Sequence, residues 1–295
     1  MKQKSSTRGA LLVLLCALLW AIKGNVGAYL FTHTPLSPHL MSVLRLFFAG
    51  LLLMGMSLAT KQSFFSPWRR PKVFFSLLLY GFLGLFLMQA THYEAIRRSN
   101  APTATLIQYL GAFLVVLVIA LWHRRWPSKN FLALFLLAIL GTVLLVTKGD
   151  LSSLALPGGV LAPALFSAVG YAIYNLALLP IEKEAPPIVL VGGGMLLAGT
   201  VLLFLYREEI LALPPSLPLL LGLSYSIVGG TAIPFVVYAK GQKLLGPSLA
   251  PVFALSENLF SEILTILLFH TLPTPVEALG MMLLFGAILL LTLQE

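Results

Sequence analysis

The sequence predicts an all-α polytopic membrane protein of ten transmembrane helices, arranged as two inverted five-helix repeats. Three observations predict it. The chain is 59% hydrophobic and only 10% charged, with mean hydropathy +0.96, whereas a soluble domain is nearer half apolar and a quarter charged. Apolar runs of bilayer-crossing length, about 20 residues, recur along the chain between short turns rich in proline, glycine and charge. The chain also repeats itself weakly at an offset of 145 residues, which carries Pro102 onto Pro247 and Gly141 onto Gly286.

The spans are expected at 9–31, 39–60, 73–93, 101–122, 130–147, 158–180, 187–206, 216–239, 247–269 and 275–291. The first run continues too far to be a cleaved signal and suits a membrane helix. Turn chemistry separates the rest: TPLSP follows the first span and SPWRRP the second, while LPGG, APP and ALPPSLP precede the sixth, seventh and eighth. Loops this short make neighbouring spans antiparallel. Near the start of each half, Trp20-Ala21-Ile22 matches Tyr171-Ala172-Ile173. Ten spans then divide into halves at 1–149 and 150–295. Because five is odd, the second half sits upside down, a recurrent transporter architecture with its site near the midplane.

Charge sets the orientation. The formal net charge is +9, but the basic residues cluster in loops, so they read as topology rather than as a nucleic-acid surface. With a cytoplasmic N-terminus, thirteen Lys/Arg fall inside and four (Arg97, Arg98, Lys148 and Arg207) outside, which makes both termini cytoplasmic in a bacterial-type inner membrane. The single cysteine, Cys16, excludes an intramolecular disulfide and a cysteine metal cluster. Asp150 is the sole aspartate, and HExxH, GxSxG and GxxxxGK[ST] are absent, which argues against an intramembrane enzyme or an ATP-driven pump. No catalytic residue, cofactor, metal or nucleic-acid partner is expected; small solutes, lipid and possible proton exchange are.

Polar residues inside apolar spans mark the candidate site. Counting from Pro247 at 1.5 Å per residue, Glu257 lies roughly 15 Å and Glu262 roughly 22 Å into its span. Intramembrane charges are rare and point to a partner, a wet cavity or a function. Glu257 is the candidate for proton coupling or for holding a substrate ammonium. Glu262, about 140° further round the helix, is not expected to share its site. Lys23 is a candidate anion receptor, with snorkelling to the interface as its alternative. Arg45 and Glu262 fit a structural ion pair, and His92 with Glu94 an interfacial cap or gate beside Arg97. Trp20, Gln89, Gln108, Tyr109, Tyr171, Tyr174, Asn175 and Asn258 complete a candidate substrate set that mixes aromatic surface with a few donors and acceptors. A secondary transporter, a channel or helper subunit, and an intramembrane enzyme are the three classes open to such a chain; odd-numbered inverted halves favour the first.

The sequence also resembles the EamA type of the drug/metabolite transporter superfamily over nearly its whole length. LLWAIKGN (18–25) resembles the family's Trp-containing first-helix motif, and SVLRLFFAGLLL (42–53) its Arg-Phe-Leu signature, with Arg45 at the arginine. GTAIPFVVYAKGQKLLGPSLAPVFALSENLF (230–260) resembles the run through helices eight and nine, where the family reads Leu-Glu-Pro; Glu257 matches the glutamate and Asn258 replaces the proline. TPVEALGMMLLFGAILLL (274–291) matches the tenth-helix motif. Lys23 and His270-Thr271 depart from the family pattern. The resemblance implies alternating access around a cavity lined by helices one, three, four, six, eight and nine. Likeness of the second half to threonine/homoserine exporters implies export of amino acids or similar metabolites.

Overall fold

The computed structural model of the chain describes residues 2–99, 101–150, 159–269 and 272–293. Segment 151–158, which holds most of the expected LPGG turn, and residues 270–271 lie outside them. Every described element is helical. In chain order the main helices are α1 (Lys2–His33), α2 (Pro38–Ala59), α3 (Pro71–Arg98), α4 (Thr103–His123), α5 (Lys129–Thr147), α6 (Leu161–Ile181), α7 (Pro187–Leu205), α8 (Leu217–Leu245), α9 (Ser256–Phe269) and α10 (Pro275–Leu293). Helices α1 to α8 are long and apolar enough to cross a membrane, and α10 carries a further apolar run over Pro275–Leu291. The span expected at 247–269 is instead divided at Leu255 into a short helix, Leu249–Ala254, and α9.

Local chemistry explains where these helices start and stop. Ser37, Ser128 and Ser216 lie in extended backbone and cap α2, α5 and α8, each side-chain oxygen accepting from an amide three residues on. Thr274 and Glu277 form a reciprocal capping box at the start of α10, with Thr274 N donating to Glu277 Oε2 at 2.6 Å and Glu277 N to Thr274 Oγ1 at 3.2 Å. Gly246, at φ +90°, ends α8 in backbone that glycine tolerates best.

Helix α2 packs along α7, α5 along α10, α3 and α4 against α6, and α1 against α8 and α9. Residues such as Val13, Cys16, Ala17 and Trp20 turn inward and are buried, whereas Leu11, Leu15, Phe48, Leu121, Leu136, Phe204 and Phe285 are exposed on the outside. So large an apolar exterior needs lipid, not water, around it.

Four irregularities shape the interior. Helix α3 contains a π-helical stretch, Leu79–Phe86, and α8 another, Val228–Ala232. Helix α4 breaks at Tyr109, where Ala112 N bonds back only three residues, to Tyr109 O at 2.9 Å. The break at Leu255 has the same form, with Asn258 N to Leu255 O at 3.1 Å. Glycines in the two π stretches permit close approach: a Cβ on Gly84 would lie 3.0 Å from the Tyr174 Cα, and one on Gly230 2.7 Å from the Lys23 Cγ.

Candidate functional site

A small central cavity lies between α1, α3, α4, α6, α8 and α9, and of these irregular points the break at Tyr109 lines it directly. Trp20, Lys23, Gln89, Gln108, Tyr109, Tyr171, Tyr174 and Glu257, all singled out in the sequence, line it, together with His92. Its free volume is about 20 Å³, room for one water molecule and no metabolite. Met88, Tyr93 and Phe235 complete the wall. Met88 and Phe235 carry no polar signal in an apolar span, and the Tyr93 hydroxyl is taken by Arg45; only the helix rotations bring the three here.

The polar groups around this cavity are conspicuously underused. Trp20 Nε1, both amide atoms of Gln89, His92 Nδ1 and the Tyr174 hydroxyl are buried without a hydrogen-bond partner. Buried polar groups are nearly always paired. Lys23 lies 5.5 Å from the centre of the Trp20 ring. The Tyr109 hydroxyl sits 2.7 Å from Glu257 Oε2 and 2.9 Å from Ala254 O, so its one proton serves one or the other. The lysine and the glutamate face the same cavity, yet among the described residues no ion pair joins them. Aromatic rings frame them, with Trp20 against Phe235 and Tyr238, and Tyr174 against Tyr80, Phe235 and Tyr238.

Arg45 is built differently. It is fully buried, and its guanidinium donates to the Tyr93 hydroxyl, to Thr231 Oγ1 at 2.8 Å and to Gly230 O at 3.3 Å. Thr231 in turn donates to Ser226 O, five residues back, at 2.7 Å. A π turn displaces carbonyls from the ordinary helical ladder, and Arg45 takes up one of them. It therefore clamps the π stretch of α8, and no ion pair joins it to Glu262 among the described residues.

Other sequence-predicted residues lie outside the cavity. Asn175 accepts from the Tyr238 hydroxyl at 2.6 Å and from Gln242 Nε2 at 3.1 Å through its Oδ1, while its amide donates to Tyr171 O. This network bridges α6 and α8 beneath the aromatic floor. Gln108 lines the cavity but donates to Ser167 Oγ at 2.6 Å, and Ser167 to Met88 O. Glu94 accepts from Arg97 and Arg98 at the end of α3, whereas His92 faces inward.

Asn258 and Glu262 line a second cleft, of about 270 Å³, with Asn25, Thr105, Lys148 and Glu257. The two glutamates thus share a cavity despite their angular separation. Positions 257, 258, 261 and 262 form one polar arc about 140° wide, and Glu257 and Glu262 are its two edges. Beside the mouth, Lys148 Nζ pairs with Glu277 Oε1 at 2.6 Å.

Comparison with known proteins agrees with this architecture. The chain is 32% identical over 291 residues, 99% of its length and 97% of the relative's, to an uncharacterized inner membrane transporter, YicL, of Salmonella typhimurium. A protein crystal structure at 21% identity superposes with a TM-score of 0.77, covering all of this chain and 99% of the other, which shows a shared fold. The EamA-like transporter family matches residues 7–147 and again residues 158–293, so the chain belongs to the EamA-like transporter family.

Proposed function

We propose that the protein is a secondary carrier that exports small zwitterionic metabolites, amino acids or close analogues, across the inner membrane by alternating access. The observation that carries this reading is the central cavity itself. It holds a cation and a carboxylate that do not neutralise one another, amid five buried polar atoms without partners. A ligand with its own ammonium and carboxylate would answer both charges, and the aromatic walls would hold its side chain. With free volume of about 20 Å³, the central cavity is too small for such a ligand, and helix movements must enlarge it before it can accept one. The location of the YicL relative, the thirteen-to-four bias of basic residues and the even number of spans support an inner-membrane protein with both termini cytoplasmic.

The moving parts are two inverted five-helix halves, 1–149 and 150–295, giving ten spans in all. Several pairings support this division. The family matches the chain twice, once per half. Exchanging each helix with the one five places along maps the α2–α7 and α5–α10 contacts onto themselves, α3–α6 onto α1–α8, and α4–α6 onto α1–α9. The same exchange pairs the π stretches of α3 and α8, the breaks at Tyr109 and Leu255, and the approaches of Gly84 to Tyr174 and of Gly230 to Lys23. Broken helices meeting near the midplane are where transporters of this kind place their sites.

Lys23 would receive the substrate carboxylate, Glu257 the ammonium or, between cycles, a proton. Flux of labelled amino acids, nucleosides, sugars and quaternary amines into proteoliposomes, with and without a proton gradient, tests this. Saturable movement of zwitterions above the others is the expected result; movement of neutral sugars at the same rate would overturn it.

A further inference from the structure

The second cleft does something the central cavity does not: it is roomy. It reaches from Lys148, at the exposed end of α5, inward past Glu262 to Glu257, and Glu257 is a wall of both cavities. On the central side the glutamate faces about 20 Å³, on the cleft side about 270 Å³. Gly24 lines the cleft, and a Cβ built on it meets nothing within 4 Å, an independent sign of open space there.

The charges in this cleft are also unequal. Lys148 is committed to Glu277. Glu262 has neither an ion pair nor a hydrogen bond among the described residues, and Glu257 has only the Tyr109 hydroxyl. The remaining lining at Asn25, Thr105 and Asn258 is neutral. A cleft between low-dielectric walls with excess negative charge focuses its field and concentrates cations.

We infer that this cleft is the route that joins Glu257 to the Lys148 side, by which an exported solute leaves, and that Glu262 makes it selective for positively charged groups such as a substituted ammonium. The inference extends the carrier reading above, but it concerns access rather than turnover, so each can fail alone. Glu262 is a specificity-determining residue of the route, outside the central cavity.

Cysteine labelling tests it directly. The native thiol, Cys16, is fully buried and is replaced by alanine for the purpose. Ser261, on the cleft wall, is changed to cysteine, and Leu272, 90% exposed between α9 and the Glu277 end of α10, serves as a cysteine marker for the same side. Sealed vesicles are treated with two impermeant methanethiosulfonates, one bearing a trimethylammonium and one a sulfonate. Ser261→Cys is expected to react from the side on which Leu272→Cys reacts. After normalisation to the marker, it should favour the cationic reagent about tenfold. Glu262→Gln should bring that ratio close to one, and Gly24→Leu should slow both reagents by filling the cleft.

Asn25→Cys is a second probe on α1, should Ser261→Cys fold poorly. If neither thiol reacts in the folded protein though both react after denaturation, the route is refuted. Labelling from the opposite side also refutes it. A charge ratio that survives Glu262→Gln removes Glu262 from the selectivity and overturns that half of the inference.

Discussion

Two cationic groups inside the helix bundle, the fully buried Arg45 and the half-buried Lys23, receive opposite treatment. Arg45 donates to a tyrosine hydroxyl, a threonine hydroxyl and a backbone carbonyl, and is itself absent from the lining of the central cavity, which only its partner Tyr93 reaches. Lys23 has only the face of Trp20 near its ammonium and a carboxylate across the cavity. The difference separates a charge used for architecture from one held in reserve. Neutral partners satisfy an arginine because its planar fork presents five donors, and the resulting node fixes the π stretch against α2 and α3. A lysine and a glutamate that no ion pair joins are costly in so enclosed a site; a ligand with complementary charges, as proposed above, would remove that cost.

The largest expected effect comes from breaking the satisfied node. Arg45→Leu strands the Tyr93 hydroxyl and the Gly230 carbonyl, at about 1–3 kcal/mol for each buried group left unpaired. A clear fall in the melting temperature of the detergent-solubilised protein is expected, with Arg45→Lys recovering only part of it. A melting temperature unchanged by Arg45→Leu would show that the π stretch of α8 needs no clamp.

Glu257→Gln should do the reverse. The amide still accepts from Tyr109, so stability should stay within about 1 kcal/mol of the parent. Transport should fall about 10–100-fold, matching loss of a charged hydrogen bond of about 1.5–3 kcal/mol, and its dependence on the proton gradient should vanish. Unaltered coupling in a folded Glu257→Gln protein would remove the carboxylate from the mechanism.

Lys23→Gln narrows the comparison to recognition. Transport of carboxylate-bearing solutes should drop about tenfold, one such step being about 1.4 kcal/mol, while the corresponding amides are spared. Equal losses for acid and amide would mean that Lys23 shapes the cavity rather than reading a charge.

Tyr238→Phe acts on the floor of the site. It deletes one hydrogen bond to Asn175, and Gln242 remains on the same oxygen. A stability loss of about 1 kcal/mol is expected, with faster labelling of a cysteine at Tyr171 from the side of Lys243. If access from that side does not change, the Asn175 network is packing rather than a closure.

Much of this contrast was legible in the sequence, and what was not has a physical cause. The apolar runs foretold the helices, since a polar residue in such a run is conspicuous; Trp20, Lys23, Gln89, Tyr109 and Glu257 were found that way. Depth was legible because helical rise is constant. Rotation was not. Asn175 and Asn258 lie at suitable depth but turn to Gln242 and to the second cleft. The angle between Glu257 and Glu262 described the edges of one polar arc rather than two faces. Irregular turns escaped as well: nothing in VGGTA states that its carbonyl will be taken by an arginine from α2. Met88 and Phe235 close the cavity by shape, which hydropathy does not encode.

The smallest effect should come from Lys148, whose pair with Glu277 lies at the boundary of the protein. The Glu277 hydrogen bond holds the Lys148 ammonium above its ordinary range, against a smaller opposing effect of burial. A raised lysine pKa contributes stability that is fully present below the unfolded-state value and is lost as pH rises through the folded-state value. The contribution should therefore be flat across neutral pH and decline only in strong alkali. The Glu277 side chain is only 3% exposed but keeps the Thr274 amide as a donor, and the Lys148 side chain is 64% exposed, so screening of the lysine keeps its contribution to about 1 kcal/mol. Lys148→Met should accordingly leave the melting temperature nearly unchanged at neutral pH. It also removes the positive charge from the mouth of the second cleft, so the preference of Ser261→Cys for the cationic reagent should rise modestly. A fall in that preference would mean that Lys148 draws solute in by another route, and that Glu262 alone does not set the sign of the field.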